Sequence, residues 1–275
     1  MGAAAMTVTL TVGQSGPRNS RTDTDGLRFY SWQGRDLPSV TTIRRLAGLP
    51  HNLHQWTLTQ VINRAVDDWP GISAQLATGE PTSLEAVRKH LRLAATEERD
   101  RKAALGKAVH EAAEANKALT EVGPDIAPFL RQDHDWRQQS RADIVLVERQ
   151  VWNLTVGYAG TFDRIVRFPD GSLWIVDLKT GKGAYGEHAL QLMAYVMAEF
   201  VGNDDQVDVE ATELLRQVSG IAVLHLRSRS WEFHSLRPDH DTWVAFRGLL
   251  AFATWIHDHA DIEQVSLGSR KGGQR

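Results

Sequence analysis

The sequence predicts an α/β protein: a central mixed sheet that starts antiparallel, is flanked by helices and is led by an N-terminal helical segment. Two observations carry this reading. Apolar positions recur at helical spacing over residues 37–116, and then at every second residue over 142–179. The turn Pro169-Asp170-Gly171 falls inside the second stretch, where a hairpin would reverse. A helix, a hairpin and a helix follow, an order that covers the faces of a sheet.

Residues 1–25 are rich in Gly, Ser, Thr and Arg after an alternating Thr-Val run, and read as mobile or as a short edge strand. Ser39-Val40-Thr41-Thr42-Ile43 opens one helix, and residues 54–69 form another. Thr82 stands three residues before Glu85, the spacing of a capping box, at the head of a charged helix over 81–116. Strands follow at 144–151, 159–168 and 173–179, then a helix over 187–201. Residues 221–227 and 231–236 form a second hairpin, and 241–260 an amphipathic closing helix. The resulting division is a mobile start at 1–25, a helical segment at 26–118, a core at 119–262 and a basic disordered tail at 263–275.

Composition narrows the chemistry. The chain has no cysteine, which excludes disulfides, thiolate zinc sites and cysteine-held iron–sulfur clusters. No apolar run approaches the roughly 18 residues needed to cross a bilayer, and residues 1–16 lack the layout of a signal peptide, so a cytoplasmic protein without membrane association is expected. The net charge of −3 gives no global attraction to nucleic acid, so any such binding must rest on local basic patches or on a metal.

The most informative segment runs from Gly160 to Tyr195. The Pro-Asp-Gly hairpin would bring Asp163 beside Asp177, and Lys179, two residues on, shares the strand face of Asp177. Two carboxylates and an ammonium on one face are costly as ordinary core, but suit a divalent cation held beside a phosphate. Asp163 and Asp177 would be direct ligands of Mg²⁺ or Mn²⁺, with the backbone carbonyl of Leu178 a third candidate. Lys179 would orient the attacking water or stabilise the transition state of phosphodiester hydrolysis. Gln191 and Tyr195 are four residues apart and share a helix face. Glu148, on the strand before the hairpin, has two open readings, a site carboxylate or a surface salt bridge.

Together, Gly106-Lys107-Ala108-Val109-His110, Gly160-Thr161-Phe162-Asp163-Arg164-Ile165, Asp177-Leu178-Lys179-Thr180-Gly181 and the Gln191/Tyr195 pair resemble the RecB-like branch of the PD-(D/E)XK nucleases. Within that branch the chain is similar to the compact exonucleases of phages and of CRISPR adaptation systems. Pro38-Ser39-Val40-Thr41-Thr42 also resembles the opening of many phage members. The resemblance covers roughly residues 37–260 and implies a restriction-endonuclease-like core. It adds His110 as a metal ligand, which would favour Mn²⁺ somewhat over an all-oxygen site. It places Gln191 and Tyr195 beside the site and implies DNA contacts at Thr161, Arg164, Thr180 and Lys182. Several relatives carry a cysteine-bound cluster, and this chain cannot.

Gly181-Lys182-Gly183-Ala184-Tyr185-Gly186 fits the G-x-G-x-x-G pattern of dinucleotide sites. The charged strand end before it, the absence of an acidic residue closing the strand at 221–227, and the antiparallel hairpin argue against that use. A close turn near DNA phosphate, with Lys182 in contact, fits better. No Walker A motif is present, so the chain lacks a helicase motor. Arg44, Arg45, Arg88, Lys89, Arg92, Arg99, Arg101, Lys102 and Lys107 are interleaved with Glu97, Glu98 and Asp100, so many read as solvent-facing pairs, while some could grip phosphates. Trp32 or Trp56 could stack an unpaired base, while Trp174 and Trp255 read as core. The resemblance implies a DNA exonuclease acting on linear double- or single-stranded ends in recombination, repair or replication, partnered by a single-strand annealing protein or a helicase. A structure-specific endonuclease and a non-catalytic DNA-binding subunit are the alternatives.

Overall fold

A computed structural model describes residues 20–22, 27–47 and 53–259. The expected basic tail and most of the N-terminal stretch lie outside them. Of that stretch, β1 (Ser20–Thr22) is an edge strand, paired antiparallel with β2 (Arg28–Trp32), which in turn pairs with β3 (Arg35–Pro38).

α1 (Val40–Leu46) follows at once, for a local reason. The Ser39 hydroxyl accepts the Thr42 N–H at 3.0 Å, a serine N-cap. The Thr42 hydroxyl donates to the Arg28 carbonyl at 2.9 Å and accepts the Arg28 N–H at 2.7 Å, tying the helix start to β2. The Pro-Ser-Val-Thr-Thr run is therefore a joint between hairpin and helix.

α2 (Leu53–Asp67) and α3 (Trp69–Ala77) pack against α4 (Pro81–Glu114), a single helix of 34 residues. α4 starts one residue before the expected capping threonine. Pro81 holds the first turn, where its fixed φ fits and its missing N–H costs nothing, and Thr82 makes no cap. α5 (Ala127–Ser140), absent from the sequence reading, precedes the main sheet.

That sheet has seven strands in the order β10-β9-β6-β5-β4-β7-β8. β4 (Asp143–Asn153), β5 (Tyr158–Arg167) and β6 (Leu173–Lys179) run antiparallel through the predicted hairpin. At its turn the Phe168 N–H donates to the Ser172 carbonyl, and Gly171 takes a φ of +87° that favours glycine. α6 (Glu187–Val196), β7 (Phe200–Asn203), β8 (Gln206–Asp208) and α7 (Val209–Arg216) then lead to β9 (Val218–Leu226), which lies parallel to β6. β10 (Trp231–Leu236) completes the expected second hairpin, and α8 (His240–Asp258) is the last element among the described residues. The sheet is thus mixed, as predicted, with helices on both faces.

The expected helix over 187–201 is corrected: α6 stops at Val196, and 200–203 is strand β7. The Asn153 side-chain amide donates to the Met197 carbonyl at the helix end, and Phe200 pairs with Trp152 in the sheet. Both partners lie far back in sequence, beyond the reach of local periodicity.

One core cluster lies between the sheet and α1, α6, α7 and α8, with Phe162, Ile175, Leu192, Val223 and Phe246. A second joins the sheet to α4 and α5 through Val109, Leu130, Trp136, Val176 and Leu224. Within the second, the Arg164 guanidinium donates to Asp133 at 2.6 Å and lies 4.9 Å from the Trp136 ring, with both charges buried. Arg164→Met leaves Asp133 buried and unpaired, so urea unfolding should show a loss of about 3–5 kcal/mol. Adding Asp133→Leu should recover most of it; a single variant as stable as the parent would refute the assignment.

Candidate active site

The β5–β6 ladder has its last pair toward the site at Arg164 and Val176, so Asp163 and Asp177 stand side by side one residue beyond it. There the strands part, and the Asp163 carboxylate takes the Leu178 N–H at 2.6 Å. A side chain thus replaces a rung of the ladder, fixing Asp163 against the strand that carries Asp177 and Lys179. α4 delivers His110, whose Nδ1 lies 3.5 Å from Asp163 Oδ2.

Two further carboxylates complete the group. Ligating atoms of His110, Glu148 and Asp163 all lie within 4.8 Å of one another. Glu148 is in β4 yet has a φ of +45°, a left-handed conformation that costs a non-glycine residue roughly 1–3 kcal/mol. Of its two readings, the geometry places it in the cluster. Glu148 also shares a hydrogen bond with Glu114, one helical turn beyond His110 on α4. The sequence reading missed Glu114; its signal was the four-residue spacing from His110.

Electrostatics follow from this crowding. Burial, with Asp163 and Glu114 beside it, pushes Glu148 up to about 10. Burial also raises Asp163, reinforced by Asp177 and opposed by His110 and Lys179. Glu114 is raised by burial too. The Lys179 ammonium lies against Asp177 Oδ2 but without hydrogen-bond geometry, leaving that buried oxygen with an ion-pair contact alone. Crowded carboxylates, an imidazole and an under-satisfied buried oxygen are a donor set that fits a divalent cation. His110, Glu148 and Asp163 could hold it, with Asp177 and the Leu178 carbonyl adjoining.

A second layer fixes this group. Gln191 Nε2 donates to Asp177 Oδ1 at 3.1 Å and to the Tyr195 hydroxyl at 3.0 Å. Gln191 Oε1 accepts from Arg44 at 2.5 Å, and Arg44 also pairs with Glu187 at 2.7 Å. Arg44, expected as a solvent-facing pair or a phosphate grip, is instead engaged in orienting Gln191. Burial, then the charge of Asp177, holds the Tyr195 phenol well above its ordinary range, so it stays neutral. The motif glycine Gly160 is a spatial requirement, since a Cβ there would lie 2.6 Å from the Tyr195 ring, whereas one on Gly106 would lie 3.1 Å from the Thr180 hydroxyl, a tight approach that a small shift of Thr180 would relieve.

The expected DNA-contact residues divide. Lys182 is exposed on the loop after β6, and Thr180 is half-buried against α4. Thr161 shares a hydrogen bond with the Tyr30 hydroxyl at 3.0 Å. Arg164 is corrected: it points into the core and pairs with Asp133, out of reach of a ligand. Trp32 is corrected as a stacking surface, being buried between Trp152 and Phe200. Trp56 lies under the Lys102 ammonium. Trp174 packs against the second core cluster, whereas Trp255 is about half exposed, contrary to a core assignment. Arg88, Arg92, Arg99, Arg101, Lys102 and Lys107 all have carboxylate partners on α4.

Residues 84–220 match the family model of the PD-(D/E)XK nuclease superfamily. Over this segment the chain is similar to PD-(D/E)XK nuclease superfamily domains. The segment spans α4 with His110, β5 and β6 with both aspartates, and α6 with Gln191. Nucleases of this superfamily use divalent metals, in keeping with the donor set. No curated protein matches the chain. Among solved structures, the crystal structure of SSO0001 is similar at a TM-score of 0.29 and 14% identity, over 46% of this chain and 57% of that one. No helix among the described residues is long and apolar enough to cross a membrane.

Two outcomes are expected. The raised carboxyls mean that the folded chain holds more protons than the unfolded one, so metal-free stability falls as pH rises from the unfolded carboxyl value toward the folded one. Thermal melts in chelator should therefore drop from about pH 5 to about pH 8. Mg²⁺ or Mn²⁺ and the Glu148→Gln substitution should each flatten that fall; a flat chelator profile would contradict the crowding. Separately, Gly160→Ala should destabilise the fold by about 1–3 kcal/mol in urea, through overlap with Tyr195.

Proposed function

We propose that the chain is a metal-dependent deoxyribonuclease of the RecB-like branch, an exonuclease that shortens linear DNA ends. The observation that carries this reading is the convergence of Asp163, Asp177 and Lys179 with His110, on a donor set the chain cannot neutralise alone. A divalent cation bound there supplies a Lewis acid for the phosphodiester and for an attacking water. His110, Asp163, Asp177 and the Leu178 carbonyl would hold Mg²⁺ or Mn²⁺, with Glu148 as an added anchor. The Lys179 ammonium would stabilise charge gathering on the phosphate oxygens. Gln191 keeps Asp177 turned toward the site and is itself kept in place by Arg44.

The exonuclease assignment draws on the family resemblance and on α4, one continuous helix that joins the α2–α3 arm to His110. Thr161, Thr180 and Lys182 are the proposed contacts to the strand. The nuclease core would lie within 119–262, fed by the helical segment at 26–118. A cytoplasmic role in recombination, repair or replication, with an annealing protein or a helicase as partner, completes the reading.

The test is incubation with Mg²⁺ or Mn²⁺ and end-labelled linear or closed circular DNA. Linear substrates alone should shorten, and chelator should stop the reaction. Asp177→Ala and Lys179→Ala, with unchanged circular dichroism, should each lower the rate by at least about 100-fold. Cutting of circles would replace the exonuclease by an endonuclease; DNA binding without cleavage under either metal would replace the enzyme by a binding subunit.

A further inference from the structure

A second group of ligating side chains lies one strand away from Lys179, outside the catalytic cluster. His225 of β9 stands beside Lys179 across the parallel pairing and opposite Glu232 across the β9–β10 hairpin. His234, two residues after Glu232, shares its strand face. Glu232 Oε2 lies 3.7 Å from His225 Nδ1 and 3.3 Å from His234 Nε2, and ligating atoms of the three residues all lie within 4.8 Å of one another.

The state of His225 is the telling feature. Its ring is fully buried, with Nε2 2.7 Å from the Gly181 carbonyl. A carbonyl only accepts, so Nε2 carries the hydrogen and a neutral ring presents a bare lone pair at Nδ1. That atom is buried without a hydrogen-bond partner, and the nearest ionisable oxygen is a carboxylate that also repels a lone pair. An imidazole that gives one N–H to a backbone carbonyl and turns its other nitrogen on a carboxylate has the arrangement of a metal-bound histidine with its outer partner. The alternative, an imidazolium paired with Glu232, would bury a charge at a separation too long for a hydrogen bond.

We propose that His225 Nδ1, Glu232 Oε2 and His234 Nε2 bind a transition-metal ion of the Zn²⁺ class. Two imidazoles and one carboxylate suit such an ion, and a fourth position could take water from the partly exposed side of Glu232 and His234. Arg227 lies 3.2 Å from Glu232 Oε1 and donates to Oε2 at 3.5 Å, and His234 Nε2 shares a hydrogen bond with Oε2 at 3.3 Å, so an ion would displace these contacts at Oε2 and leave Arg227 on Oε1. Its positive charge weakens the site without blocking it. An ion here would clip the edge hairpin together and, through His225 and Gly181, hold the loop between Lys179 and α6. This site is separate from the proposed nuclease reaction and stands or falls independently of it.

The test uses the full chain without a polyhistidine tag, carrying Asp163→Asn to disable the catalytic cluster. After chelator treatment and dialysis, Co²⁺ is titrated and followed by its visible absorption and by calorimetry. One Co²⁺ should bind per chain, in competition with Zn²⁺, and Zn²⁺ should raise the melting temperature. His234→Ala and Glu232→Gln alter partly exposed positions, so both should fold by circular dichroism. Each should weaken Co²⁺ binding by more than about 100-fold, the upper range for loss of even an outer partner. No bound Co²⁺ in a folded chain, or binding unchanged by both substitutions, would overturn the site and leave a buried histidine ion pair.

Discussion

The structure depends on a concentration of negative charge that the chain cannot balance. Glu114, Glu148, Asp163 and Asp177 gather around one imidazole and one ammonium. Without an added cation, burial and mutual repulsion push several of these carboxyls toward their protonated forms. Such a group can persist only where the surrounding packing is strong enough to hold it, and two core clusters on opposite faces of the sheet supply that hold. The left-handed backbone at Glu148 is a further local cost borne by the same frame.

Each member of the group is held by an element that the rest of the fold keeps rigid. α4 is anchored by Val109, Ala112 and Ala113, so His110 and Glu114 cannot retreat from the sheet. The β5–β6 hairpin brings the aspartates together, and the Leu178 N–H keeps Asp163 from turning away. On the other side, α1 supplies Arg44 and α6 supplies Gln191, in a chain of hydrogen bonds that ends on Asp177. Gly160 matters because the Tyr195 ring occupies the space where a side chain would begin. Position within this group is thus set by packing from four directions.

Some positions had opposite meanings in sequence and in space. Arg164 sits inside a motif next to Asp163, yet its side chain is a core ion pair with Asp133. Trp32 had the chemistry of a stacking surface and is core, whereas Trp255 sat in an apolar pattern and is about half exposed. Residue type states what a side chain can do; its direction decides whether it meets a ligand. The cations along α4, by contrast, do what their interleaving with acidic residues indicated and pair with carboxylates of that helix.

Local features are legible along the chain alone: the helical and alternating periods, the Pro-Asp-Gly reversal, the shared face of Asp177 and Lys179, and the four-residue pairing of Gln191 with Tyr195. These follow from backbone geometry over a few residues, and with the hairpin they suffice for the mixed sheet and the centre of the candidate site. Where α6 ends, that residues 28–38 form a hairpin, and that Arg44, Glu114 and Glu148 join the group emerge from the packed fold. It alone set His225 opposite Glu232 with an unpaired nitrogen between them. Those outcomes rest on contacts between residues distant in sequence, such as Arg44 with Gln191 and Asn153 with Met197, which no local pattern encodes.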